Sequence, residues 1–106
     1  MGSGVVRLHE IAHARSGDKG DRLNISLFPY DPAYWQVLAD QVTEARIRQL
    51  FAMRAPSQVR RYDLPLLGGF NFVLENALGG GVNSSLHLDA HGKCLSFHLL
   101  SLQIQT

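Results

Sequence analysis

Residues 12–24 read AHARSGDKGDRLN, and the remainder of the chain is arranged around how this stretch folds. His13, Arg15, Asp18, Lys19, Asp21 and Arg22 can all carry charge, and Asn24 adds a neutral amide. Gly17 and Gly20 interrupt the backbone between them. Apolar, strand-like runs flank the stretch: Val5, Val6 and Leu8 before it, Leu23, Ile25 and Leu27 after it. The pattern predicts a chain that crosses a sheet, makes a long polar loop and crosses back as an antiparallel hairpin. A loop so charged loses solvation if it folds without partners, and loops held on a rigid scaffold are where binding groups concentrate.

The chain is 106 residues long, which is one domain over 1–106, and 45% of it is hydrophobic, enough for a core. Residues 1–4 are small and polar and are expected to be disordered. Ten basic and nine acidic residues leave a net charge of +1. That balance gives no basic stripe for nucleic acid, and no apolar run approaches the length of a membrane span. The small, polar start predicts no signal peptide. A single cysteine, Cys94, excludes an internal disulfide and a cysteine-based zinc site. These features predict a cytoplasmic protein.

Residues 5–11 alternate as a half-buried strand does, and so do residues 23–28. Asp31-Pro32 starts a helix, with Asp as N-cap and Pro at the first helical position. Thr43 caps a second helix, with Val42 and Ile47 at the hydrophobic-staple positions and Ile47, Leu50 and Phe51 as its apolar stripe. A bent pair of short helices is therefore expected. Residues 59–64, VRRYDL, form a short edge strand whose two arginines need water. Residues 68–78, GGFNFVLENAL, place Phe70, Val73, Leu74, Ala77 and Leu78 at helical spacing, and Gly79–Gly81 supplies a C-cap. Residues 84–89 form a strand, residues 89–93 a turn, and residues 94–105 a long last strand with apolar side chains on both faces. The order predicts an α+β two-layer sandwich, a mixed and mainly antiparallel sheet with helices on one face.

Four stretches resemble one family. Residues 12–21 with Asn24, residues 59–65 (VRRYDLP), residues 71–81 (NFVLENALGGG) and residues 85–93 (SLHLDAHGK) are similar, in order, to the small C-terminal domain of AtuA-like proteins, named for acyclic terpene utilisation. Ser84 stands where the family pattern leads one to expect a basic residue. The resemblance implies a ferredoxin-like fold, a stand-alone form of the domain, a larger AtuA-like partner protein, and a place near acyl-CoA or terpenoid catabolism. It implies no particular reaction.

Arg15, Ser16, Gly17, Lys19 and Asn24 are the candidate ligand-binding residues. Two cations, a hydroxyl and glycine-freed backbone N–H groups make the kind of concavity that holds phosphate or carboxylate. The spacing is not that of a Walker loop. Asp18 and Asp21 offset two of the three cations Arg15, Lys19 and Arg22, leaving one positive charge in excess. Asp18, Asp21 and Asn24 lack the alternating spacing of a calcium loop, and His87, His91 and His98 belong to the predicted final hairpin; no metal and no cofactor are expected. An acid–base pair of His13 with Asp18 or Asp21 is the catalytic alternative. The expected function is thus a non-catalytic accessory domain that binds the anionic group of a small molecule such as an acyl-CoA. A homo-oligomer, a dimer joined through the apolar last strand, is expected. The alternatives for the function are a structural, oligomer-forming subunit with no ligand, and a lyase or hydrolase.

Overall fold

The computed structural model describes residues 4–20, 22–76 and 93–106. Its centre is a four-stranded antiparallel sheet of β2 (Ala12–Lys19), β3 (Arg22–Pro29), β4 (Gln58–Leu64) and β5 (Gly69–Glu75), in the order β2-β3-β5-β4. A two-stranded ribbon pairs β1 (Val5–Arg7) with β6 (Gln103–Gln105) and ties the two ends of the chain together. The helices are α1 (Trp35–Gln41), α2 (Glu44–Leu50) and α3 (Lys93–Leu100). The α+β expectation holds, and every described strand pair is antiparallel.

The core lies between one face of the sheet and the helices. Leu23, Ile25 and Leu27 of β3 and Phe70, Phe72 and Leu74 of β5 point into it. Leu38, Val42, Ile47 and Phe51 reach it from the α1–α2 side, and Leu95 and Leu99 from α3. The bent helix pair forms as its caps predict. Asp31 Oδ1 accepts from Ala33 N at 2.9 Å, and Thr43 Oγ1 accepts from Arg46 N at 3.2 Å. Both staple residues, Val42 and Ile47, are fully buried.

Several elements differ from the expectation. The strand predicted over residues 5–11 ends at Arg7, and a 3-10 turn at Leu8–Glu10 leads into β2. The polar stretch is not a loop: residues 12–19 are themselves a strand, and the hairpin closes between the paired residues Lys19 and Arg22. Gly20 has φ +64°, a conformation that glycine adopts without a steric penalty. His13 and Arg15 are compatible with a strand here because they alternate onto a face that no described element covers.

Residues 68–78 were expected to be a helix, but residues 69–75 are the strand β5, between β3 and β4. In a strand Phe70, Phe72 and Leu74 all fall on the core side, whereas a helix would bury only part of that set. The last strand expected over residues 94–105 is mostly helix α3. Leu95 and Leu99 are buried while Phe97, between them, is 70% exposed, which is a helical spacing. Helix α3 packs against β2, where Ala12 and Ala14 put small side chains on the core face and leave room for it. Leu99, Leu102 and Ile104 are therefore buried in the chain's own core. The apolar strand that motivated the dimer expectation does not exist.

The edge position of β4 is as predicted, but only Arg60 is exposed. Arg61 turns under the helices. Its Nη1 donates to the carbonyls of Ala39 at 2.7 Å and Val42 at 3.0 Å, capping the end of α1. At the terminus, Gly4 is not loose: its carbonyl accepts from Thr106 N at 3.0 Å. The other residues of the expected disordered segment, together with the glycine cap at 79–81, the strand at 84–89, residues 89–92 of the expected turn, His87 and His91, lie outside the described residues.

Candidate functional site

The register of β2 against β3 builds the site. Ala12, Ala14 and Ser16 face the helices, and His13, Arg15 and Gly17 alternate onto the open face. Across from them on β3, Phe28 stands beside His13, Ser26 beside Arg15 and Asn24 beside Gly17. The next strand continues the rows, with Asn71 beside Ser26 and Val73 beside Asn24. Ser26 Oγ donates to Asn71 Oδ1 at 3.3 Å. His13, Arg15, Ser26 and Phe28 line a recess of about 340 Å³.

One end of this recess is aromatic. The His13 ring stacks on Phe28 with centroids 5.8 Å apart and lies 5.3 Å from Tyr30. Phe28 owes its position to Gly69, its cross-strand neighbour on β5. A Cβ at Gly69 would fall 2.3 Å from Phe28 Cδ1 and 2.6 Å from the Leu27 carbonyl oxygen, so only glycine admits the ring. The other end is polar and cationic. Arg15 is exposed and makes no hydrogen bond or ion pair with any described residue. Arg22, on the same face, is engaged by Glu75 at 3.0 Å. Arg60 also lies on this face, so the described charges give it a positive excess.

Arg15, Gly17 and Asn24 thus come together, on a strand face and not in a loop. Ser16 sits on the opposite face of β2 from Arg15, and it has a bonding partner of its own. The glycine-lined cradle of backbone N–H groups does not form over residues 15–19, where the backbone is a ladder with β3. Nothing lies within 4 Å of a Cβ at Gly17, so no close approach requires glycine there. Asp18 is five residues from His13 along β2 and pairs in register with Leu23. Asp21 lies outside the described residues. The partner of Arg22 is Glu75, on the neighbouring strand β5. His98 is on α3, with Nε2 3.1 Å from the Leu50 carbonyl oxygen, and not on a final strand. No group of three His, Cys, Asp or Glu among the described residues is arranged to hold a metal ion. No described helix is long and apolar enough to cross a membrane.

Ser26, Phe28 and Tyr30 were not among the candidates. The signal for Phe28 was present: alternation over residues 23–28 places it with Asn24 and Ser26, an apolar ring on an otherwise polar face.

A family model for the AtuA ferredoxin-like domain matches residues 6–105. The chain belongs to the AtuA ferredoxin-like domain family. No curated protein and no solved structure matches it. The AtuA ferredoxin-like match runs from β1 to β6, so the recess and the sheet that carries it both belong to the family domain.

Proposed function

We propose that this AtuA ferredoxin-like domain is a non-catalytic accessory domain that binds the anionic group of a small molecule, a phosphate or carboxylate such as acyl-CoA and terpenoid catabolism present, with Arg15 as the anchor. The supporting observation is the exposed guanidinium of Arg15, which has no hydrogen bond or ion pair among the described residues, beside a recess whose other polar wall is Ser26. An arginine fork matches the two oxygens of a carboxylate or phosphate. A volume of about 340 Å³ is at the small end for ligand sites, suited to a head group and the atoms next to it. Asn24 is the flanking group of this reading.

The test is a thermal-shift and calorimetric screen of the chain with inorganic phosphate, a CoA thioester and simple carboxylates. Binding that Arg15→Ala weakens by about 1.5–3 kcal/mol, the scale of a charge-assisted hydrogen bond, is the expected result. Unchanged binding in that variant refutes the reading. One observation favours a second reading, a structural subunit that pairs with another copy or with a larger AtuA-like protein. Tyr62, 49% exposed, stands on the open sheet face that no described element covers. A monomer by light scattering at high micromolar concentration refutes the homodimer form of it.

A further inference from the structure

The recess is graded from polar to apolar along the strands. Arg15 and Ser26 form one row across the hairpin, and His13 and Phe28 form the next, two residues or about 7 Å further along. The aromatic row does not end the apolar surface. Tyr30, 64% exposed, lies against the His13 ring beyond the end of β3. The same row continues across the sheet through Gly69 to Leu64, its partner on β4. The turn joining those two residues carries Leu66, 99% exposed, and Leu67, 70% exposed. Large apolar side chains this exposed, gathered at the sheet end that bounds a recess, mark a surface that contacts something apolar.

We propose that the ligand is an amphipathic anion: a carboxylate or phosphate head held at Arg15, next to Ser26, and an apolar chain laid over Phe28 and His13 towards Tyr30 and Leu67. This rests on the anion reading of Arg15 and adds the chemical class of the ligand. The direction of the chain follows from the rows. Towards residues 17–24 the open face is polar, with Asn24 and the Arg22–Glu75 pair. Towards residues 28–30 it is aromatic. A head group at Arg15 therefore meets aromatic surface along the strands on one side only, the half-buried Val73 beside Asn24 being the apolar residue on the other.

Isothermal titration calorimetry of the whole chain with acetate, octanoate and inorganic phosphate tests this. Octanoate, kept below its micellar concentration, is expected to bind once per chain and at least tenfold more tightly than acetate. Tyr30→Ser is expected to weaken octanoate several-fold and leave acetate and phosphate unchanged; Tyr30 is mostly exposed, so the variant folds. Phe28→Ser gives the same readout for the half-buried ring. Equal affinities for acetate and octanoate overturn the amphipathic proposal while leaving the anion site standing. An octanoate advantage untouched by both variants also overturns it. Octanoate binding that Arg15→Ala does not weaken overturns the anion reading itself, and absence of binding by all three probes overturns both.

Discussion

Replacing Arg61 by alanine should unfold this domain more readily than removal of any other arginine. The side chain is 18% exposed and makes four contacts that a shorter residue cannot. Two are charge-assisted bonds to the carbonyls of Ala39 and Val42, groups at the end of α1 that have no helical partner. A third is the two-pronged pair with Asp63, at 2.8 Å and 3.3 Å. The fourth is the guanidinium over the Phe70 ring, 5.2 Å from its centroid. Hydrogen bonds to charged groups contribute about 1.5–3 kcal/mol each when buried, but water can reach the freed carbonyls in part. The Asp63 carboxylate is 42% exposed, so its pair adds under about 1 kcal/mol. The sum is a loss of about 2–4 kcal/mol. At about 4–8 °C per kcal/mol for a domain near this size, Tm should fall by roughly 10–25 °C. Urea unfolding followed by circular dichroism measures it, with the midpoint falling and the slope unchanged. Arg61→Lys should recover part of the loss, since it restores the charge without the planar fork. Ligand affinity should be unaffected, because Arg61 lies on the helix side of the sheet and Arg15 on the open side. A loss below about 0.5 kcal/mol would show that the end of α1 is satisfied without this side chain.

Gly69→Ala should destabilise by about 2–3 kcal/mol, because the new Cβ meets a backbone oxygen as well as the Phe28 ring; denaturant unfolding gives the loss. Leu99→Ala, which empties a fully buried position on α3, should cost about 3–5 kcal/mol by the same measurement, whereas Phe97→Ala should cost little; the reverse order would refute the helical assignment. Glu75→Gln should lower stability by under about 1 kcal/mol in a thermal melt, since the pair with Arg22 is largely open to water, and added salt should erase most of the difference.

Local chemistry was legible in the chain. The caps Asp31 and Thr43 act on backbone groups two or three residues away, so the bent helix pair could be read without knowledge of the remainder. The alternation of Leu23, Ile25 and Leu27 marked β3, because one face of that strand is buried and the other is wet. The family resemblance followed from local runs as well.

Tertiary structure decided the elements whose apolar residues satisfy two periods at once. Phe70, Val73 and Leu74 fit a helix, but Phe72, which that spacing leaves out, is fully buried once β5 is flanked by β3 and β4. Leu95, Phe97 and Leu99 fit a strand until packing against Ala12 and Ala14 of β2 buries the first and last and exposes the middle one. The site depended on register in the same way. Arg15 and His13 could be named from the sequence, but Ser26 and Phe28 became their neighbours only through the pairing of β2 with β3. Gly69, more than forty residues away in the chain, makes the space in which the Phe28 ring sits. Contacts of that range cost chain entropy to form and are selected by the whole core, which no local stretch of sequence specifies.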